Sequence, residues 1–147
     1  MQEIKNRIAV LKRKMLLKEI ISLLGLDECR SNIKCVENDK VTLDNLKKIY
    51  TFSEKYRVCY FDREKISAGD VLNLAKSINW RIDEIILFVF FKERIQLNIP
   101  IDIFLRYKSN IIFSLFNTND DIIIYSKDFK NGFCFIYDEY QVGFYKW

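Results

Sequence analysis

The pattern closest to a reactive centre is Asp121 followed by Asp128-Phe129-Lys130. An acid with a later acid-x-Lys is the set with which a nuclease holds a divalent cation and activates water. Asp128 also reads as a turn residue, and Asp and Lys are ordinary in turns. The four cysteines, Cys29, Cys35, Cys59 and Cys134, lack the close pairs that deliver a zinc site. Cys59 and Cys134 fall in apolar stretches and read as small hydrophobes. The chain has no His, which removes Ser-His and Cys-His pairs, imidazole ligands and histidine switches. Gly25, Gly69, Gly132 and Gly143 are too scattered for a phosphate-cradling loop. With 20 acids, candidate glycosidase pairs are always available and carry no information. No enzyme, metal or cofactor is expected.

The 147 residues are half hydrophobic, with 24 Lys+Arg, 20 Asp+Glu, 12 Phe, 8 Tyr and 2 Trp. That excludes disordered and fibrous classes and suits one domain with a sizeable core. Met15-Leu16-Leu17 is cut by Lys18-Glu19, and residues 20–26 run into Asp27-Glu28, so no secretory leader is read. The uncharged runs at 85–91 and 109–119 are shorter than the ~20 residues a membrane helix needs. The reading is a cytoplasmic protein with reduced thiols and no membrane span.

The elements follow from periodicity. Residues 2–24 predict one amphipathic helix: Ile4, Ile8, Leu11 and Met15 recur at helical spacing, Leu16, Ile20, Leu23 and Leu24 broaden the stripe, and Gly25 stops it. Residues 26–40 read as loop, Thr42 as the N-cap of a helix over 43–50, and residues 56–61 as a strand. Ser67 and Asp70 form a variant capping box opening a helix to Ile78. Residues 80–98 suit a helix or a buried strand, with helix preferred, and Pro100 opens a further helix through Phe104 and Tyr107. Residues 111–116, 121–126, 133–138 and 142–147 predict four strands. Turns are read at 117–120, at Asn131-Gly132, where Asn-Gly favours positive φ, and at 138–141. The expected fold is a single α+β domain over 1–147, with N-terminal helices packed on a C-terminal antiparallel β-meander.

Charge is concentrated. Residues 1–24 hold six basic residues against Glu3 and Glu19, a balance equal to the +4 of the whole chain. Lys5, Arg7, Lys12, Arg13 and Lys14 could follow a nucleic-acid backbone or meet anionic lipid. The alternative is a solvated face on a helix whose apolar stripe docks into the core. A helix-turn-helix over 71–91 fits in outline, but its second helix carries Asp83, Glu84 and a run of Ile, Leu, Val and Phe, unsuited to reading a groove.

In residues 133–138, Phe133, Phe135 and Tyr137 share one face, and Cys134, Ile136 and Asp138 the other. Both faces need cover; helices supply one, and the other is a second core layer or an interface. Tyr137-Asp138-Glu139-Tyr140 sets two acids between two tyrosines, followed by Phe144, Tyr145 and Trp147. Tyr and Trp anchor interfaces, and adjacent acids suit a basic cleft. Asp120-Asp121 extends that acidic edge if the meander brings the strand ends together. The other reading is that the aromatics are core and the acids solvate a turn.

The size, the single α+β domain, the Ile/Lys/Asn/Phe-rich composition and the closing segment DDIIIYSKDFKNGFCFIYDEYQVGFYKW resemble the small immunity proteins of bacterial polymorphic or contact-dependent inhibition toxins. The resemblance implies non-enzymatic, stoichiometric binding that blocks a cognate toxin, often a nuclease with a basic active site. The +4 charge departs from the acidic balance of a nuclease inhibitor. Either a local acidic patch binds, or the toxin surface is not basic, and the basic first helix could itself engage an acidic toxin surface. The partner-binding residues taken forward are Tyr137, Asp138, Glu139, Tyr140, Asp121, Tyr145 and Trp147. The alternative function is a small nucleic-acid-binding regulator using Lys5, Arg7, Lys12, Arg13 and Lys14.

Overall fold

The computed structural model describes residues 1–36, 40–51, 54–76, 83–90 and 92–147. Among these residues seven strands form one antiparallel sheet: β1 (Lys34–Val36), β2 (Arg57–Asp62), β3 (Glu84–Phe90), β4 (Arg94–Pro100), β5 (Ile122–Ser126), β6 (Gly132–Tyr137) and β7 (Gln141–Lys146), in the order β1-β4-β3-β5-β6-β7-β2. Among the described residues four α-helices accompany it: α1 (Gln2–Leu23), α2 (Lys40–Tyr50), α3 (Ala68–Lys76) and α4 (Ile101–Asn117). The fold is α+β, and no described helix is long and apolar enough to cross a membrane.

Local signals govern several boundaries. Gly25 adopts φ +71, a conformation other residues resist, and ends α1 in a Schellman motif. Leu26 N–H donates to Ile21 O at 2.9 Å and Gly25 N–H to Ser22 O at 3.1 Å. The capping box opens α3: Ser67 N–H donates to Asp70 Oδ2 at 2.9 Å, and Asp70 N–H returns to Ser67 Oγ at 3.3 Å. Ile78, the expected end of that helix, lies outside the described residues.

The sheet separates two apolar layers. On its inner face, Leu87, Leu97, Ile124, Phe135 and Phe144 pack with Ile20 and Ile21 of α1 and its C-cap Leu24, Val71 and Ala75 of α3, and Phe104, Ile111 and Leu115 of α4. On its outer face, Phe88, Ile123, Tyr125 and Cys134 pack with Leu46 and Ile49 of α2, joined by Phe129, Ile136, Tyr145 and Trp147. The outer face is therefore a second core layer where α2 covers it. Toward β2, Val58 and Tyr60 are exposed.

Several expectations are corrected. Residues 84–90 form a strand, not a helix, and pair with β4 and β5 on either side. A central strand buried on both faces shows no polar alternation, so its apolar run mimics a buried helix. This also removes the helix-turn-helix over 71–91, of which residues 77–82 and 91 lie outside the described residues. Residues 111–116 extend α4 instead of forming a strand. Ile103, Phe104, Tyr107, Ile111, Ile112 and Leu115 continue one helical stripe that the β-rich composition of 111–116 masked. The meander thus has three strands. The 26–40 loop contains a short 3-10 helix (Asp27–Asn32) and β1; residues 37–39 lie outside the described residues. Thr42 is buried inside α2 and is not its cap.

In the β5–β6 connection the positive φ falls on Phe129, at 64°, not on Asn131-Gly132. Gly132 is required for another reason. A Cβ there would collide with the indole of Trp147, whose N–H donates to Phe129 O at 3.0 Å.

The largest correction concerns α1. Ile4, Ile8, Leu11 and Met15 are 62, 48, 59 and 65% exposed, so this stripe does not dock into the core. The helix docks through Leu16, Leu17, Ile20, Ile21 and Leu24 instead. At 3.6 residues per turn, that set lies about 180° around the helix from the first stripe. Residues 1–15 are exposed on every side. A cleft of about 460 Å³, lined by Asn6, Ala9, Val10, Arg13, Leu16 and Glu93, lies between α1 and the β3–β4 turn.

Candidate partner-binding surface

The antiparallel meander brings the start of β5, the end of β6, the start of β7 and the end of β2 to one end of the sheet. Asp121 lies immediately before β5 and, half-buried, accepts two hydrogen bonds. Its Oδ1 takes the Tyr137 N–H at 2.8 Å, and its Oδ2 takes the Tyr50 hydroxyl of α2 at 2.8 Å. Burial first, then this bond to Asp121, raises the Tyr50 phenol well above its ordinary range. Asp121 thus ties α2 and β6 together.

Asp138 shapes the β6–β7 turn. Its Oδ1 accepts the N–H groups of Gln141 at 2.7 Å and Tyr140 at 2.9 Å, which lower its pKa. Arg63, just past β2, secures the same turn. Its guanidinium donates to Asp138 O at 2.8 Å, its N–H to Tyr140 O at 2.9 Å, and it lies 5.5 Å from the Tyr137 ring centroid. Tyr137 packs against the inner core with its hydroxyl buried and without a hydrogen-bond partner among the described residues. Burial raises this phenol; Arg63 opposes the rise, and Asp121 and Asp120 add to it.

Glu139 and Tyr140 project from this turn, with Tyr140 72% exposed. Around them the strand ends place Asp62, Glu64, Asp120, Asp121 and Asp138, against the cations Arg63 and Lys65. The acidic edge extends across four strand ends, and its β2 contribution was invisible from sequence because β2 joins β7 across some 80 residues of chain.

Tyr145 and Trp147 lie elsewhere, on the outer face. Trp147 is half-buried against Phe129 and Tyr125, with ring centroids 5.3 and 6.4 Å away. Tyr145 and Tyr60 close over Gly143, where a Cβ would meet Tyr145 Cε2 at 2.8 Å and Tyr60 Cε1 at 3.0 Å. Arg57 donates to the Tyr60 hydroxyl at 2.6 Å. Val58, Tyr60 and Tyr145 make an apolar patch that the notion of a C-terminal site missed in part, again because β2 is remote in sequence.

The nuclease pattern does not converge. Asp121 and Asp128 flank opposite ends of β5, a five-residue strand, so roughly 17 Å of backbone separates them. Asp128 instead organises the β5–β6 turn, accepting the Ser126 hydroxyl at 2.6 Å and the Lys130 N–H at 3.0 Å, which lower its pKa. Among the described residues no group of three His, Cys, Asp or Glu could hold a metal ion. None of the four cysteines forms a disulfide among the described residues, and burial raises the thiols of Cys59 and Cys134.

The two turn carboxylates predict acid sensitivity. Both have folded-state pKa values below the unfolded value of about 3.9. Their stabilisation is therefore complete above that pH and is lost as pH falls through the folded values. Thermal melts between about pH 6 and pH 2 will show wild-type Tm falling at the acid end. Asp128→Ala with Asp138→Ala will start lower at neutral pH and fall less. Parallel curves would refute the assignment.

The five candidate nucleic-acid-binding cations, Lys5, Arg7, Lys12, Arg13 and Lys14, do not form one basic strip on α1. Lys5 and Lys12 lie on one side of the Ile4–Met15 stripe and Arg7 and Lys14 on the other, while Arg13 is on the reverse face. Arg7 pairs with Glu3 at 3.1 Å in an exposed i,i+4 contact. Comparison of the chain with family models, curated proteins and solved structures finds no match.

Proposed function

We propose that this is a non-enzymatic binding protein of the bacterial cytoplasm that neutralises a cognate toxin by stoichiometric capture, as an immunity protein does. The observation that supports this reading is the acidic end of the sheet, with Tyr140 standing exposed among the carboxylates of four strand ends. An exposed aromatic ringed by acids suits a basic cleft, such as the active site of a nuclease toxin: the ring fills a pocket, and the charges speed capture. The local charge also reconciles an acidic contact surface with the chain's +4 total, because the cations are concentrated at α1.

Glu139 and Tyr140 are the binding residues best suited to a test, since Asp121 and Asp138 also hold the fold. Tagged protein is used to capture partners from nuclease-treated and untreated lysates of the native cell. The expected result is one stoichiometric protein that survives nuclease treatment. Glu139→Ala with Tyr140→Ala should weaken its binding at least about 30-fold, with Tm unchanged. Unchanged affinity in this variant would discard the acidic end as the contact surface. Recovery only of nucleic acid would shift the function to the basic helix and its Lys5, Arg7, Lys12, Arg13 and Lys14.

A further inference from the structure

The exposed half of α1 is used by neither the core nor the acidic end. Ile4, Ile8, Leu11 and Met15 form a continuous apolar stripe along its length, all of them about half or more exposed. Lys5 and Lys12 flank one side, Arg7 and Lys14 the other, and Lys18 continues the line. The stripe faces directly away from the side through which Leu16, Leu17, Ile20, Ile21 and Leu24 dock onto the body. From the geometry we infer that residues 1–15 lie flat on an anionic lipid surface, with the four apolar side chains in the acyl boundary and the flanking cations at the phosphates.

Three features favour this occupant. Because the stripe and the docking face are opposed, a plane can touch all four apolar residues while the domain remains in water. Cations on both flanks match headgroup phosphates on either side of an in-plane helix, where long basic side chains extend outward from the apolar zone. The apolar arc is narrow and contains no aromatic residue, so zwitterionic lipid offers it little and negative surface charge must contribute. Other occupants fit less well. A second copy would set Lys5, Arg7, Lys12 and Lys14 against their own kind across a seam only two heptads long, which is short for a coiled coil. A nucleic-acid backbone would press phosphates against the apolar stripe to reach both rows of cations. A free four-turn helix is also marginal in water, and a lipid surface supplies the cover that stabilises it.

Flotation with vesicles tests the inference on the full chain, comparing pure phosphatidylcholine with phosphatidylcholine containing about 30 mol % phosphatidylglycerol. Binding should appear on the anionic vesicles, be at least about tenfold weaker on the neutral ones, and weaken further as salt rises from about 50 to about 300 mM. Ile8→Asp with Leu11→Asp should reduce anionic-vesicle binding at least about tenfold without lowering Tm, because both side chains are already exposed. Lys5→Gln, Arg7→Gln, Lys12→Gln and Lys14→Gln together should do the same.

No binding to anionic vesicles, equal binding to both compositions, or full binding by the aspartate variant would overturn the inference. A concentration-dependent dimer in sedimentation that the aspartate variant abolishes would assign the stripe to a second copy. Loss of a captured protein partner in that variant, with wild-type vesicle binding absent, would assign it to a carboxylate-rimmed groove on that partner. The Glu139→Ala, Tyr140→Ala variant should bind vesicles like wild type, so failure of the toxin reading and failure of the lipid reading are distinguishable.

Discussion

Phe135→Ala should destabilise the protein by about 4 kcal/mol, lowering Tm by roughly 10 °C in a domain of this size. Phe135 is fully buried at the centre of the inner layer. Its ring stacks on Phe144 with centroids 4.8 Å apart and meets Phe133 edge-on at 6.1 Å. Truncation removes the transfer energy of the ring, leaves a cavity that β6 cannot close without breaking its pairing with β5 and β7, and deletes two aromatic contacts. Phe113 on α4 is the control. It is 49% exposed, and Phe113→Ala should cost no more than about 1 kcal/mol. Urea denaturation of both variants measures the difference. A Phe135→Ala cost below about 1 kcal/mol would mean that the inner layer is not packed around this ring.

Asp121→Ala should cost about 2–3 kcal/mol although the side chain is only half-buried, because hydrogen bonds to a charged acceptor are among the stronger ones. Two are lost at once, and they join three elements: Tyr50 of α2, Tyr137 of β6 and the entry to β5. The Tyr137 N–H keeps no acceptor in its place, whereas the half-exposed Tyr50 hydroxyl can turn to water. Tyr50→Phe should therefore cost less, about 1 kcal/mol. In the double-mutant cycle the two changes should couple, the pair costing less than the sum of the singles. Strict additivity would show that the Tyr50–Asp121 bond does not form in solution. The result also bears on the toxin-binding reading, since a binding loss in Asp121→Ala must be corrected for the change in folding before it is assigned to contact.

How much of this was legible in the sequence depended on whether the signal was local. The Gly25 stop, the Ser67–Asp70 capping box and the Asp138 turn are each made within a few residues, and each stands where its spacing predicts. The last three strands are legible within about a residue for the same reason: polar turns punctuate short β-rich runs. Strand β3 was not legible, because burial on both faces erases the alternation that identifies a strand. Helix α4 was legible only by periodicity, and the β-branched and aromatic content of 111–116 pointed the other way. For the candidate site, Asp121, Glu139 and Tyr140 were readable as an acidic-aromatic cluster. Their union with Arg63, and the internal duties of Asp121 and Asp138, required the pairing of β2 with β7 and of β5 with β6.

The sequence by itself determined that α1 exists, where it ends, that it concentrates the basic charge and that it has apolar residues at helical spacing. Only the tertiary structure decided that these residues form two opposed faces, one docked through Ile20, Ile21 and Leu24 and one left open at Ile4, Ile8, Leu11 and Met15. The physical reason is that hydrophobic periodicity records that a face favours cover, because burial of apolar surface is non-directional. What supplies the cover is set by which elements the rest of the chain can bring within reach. Here the apolar core reaches only as far as Leu16.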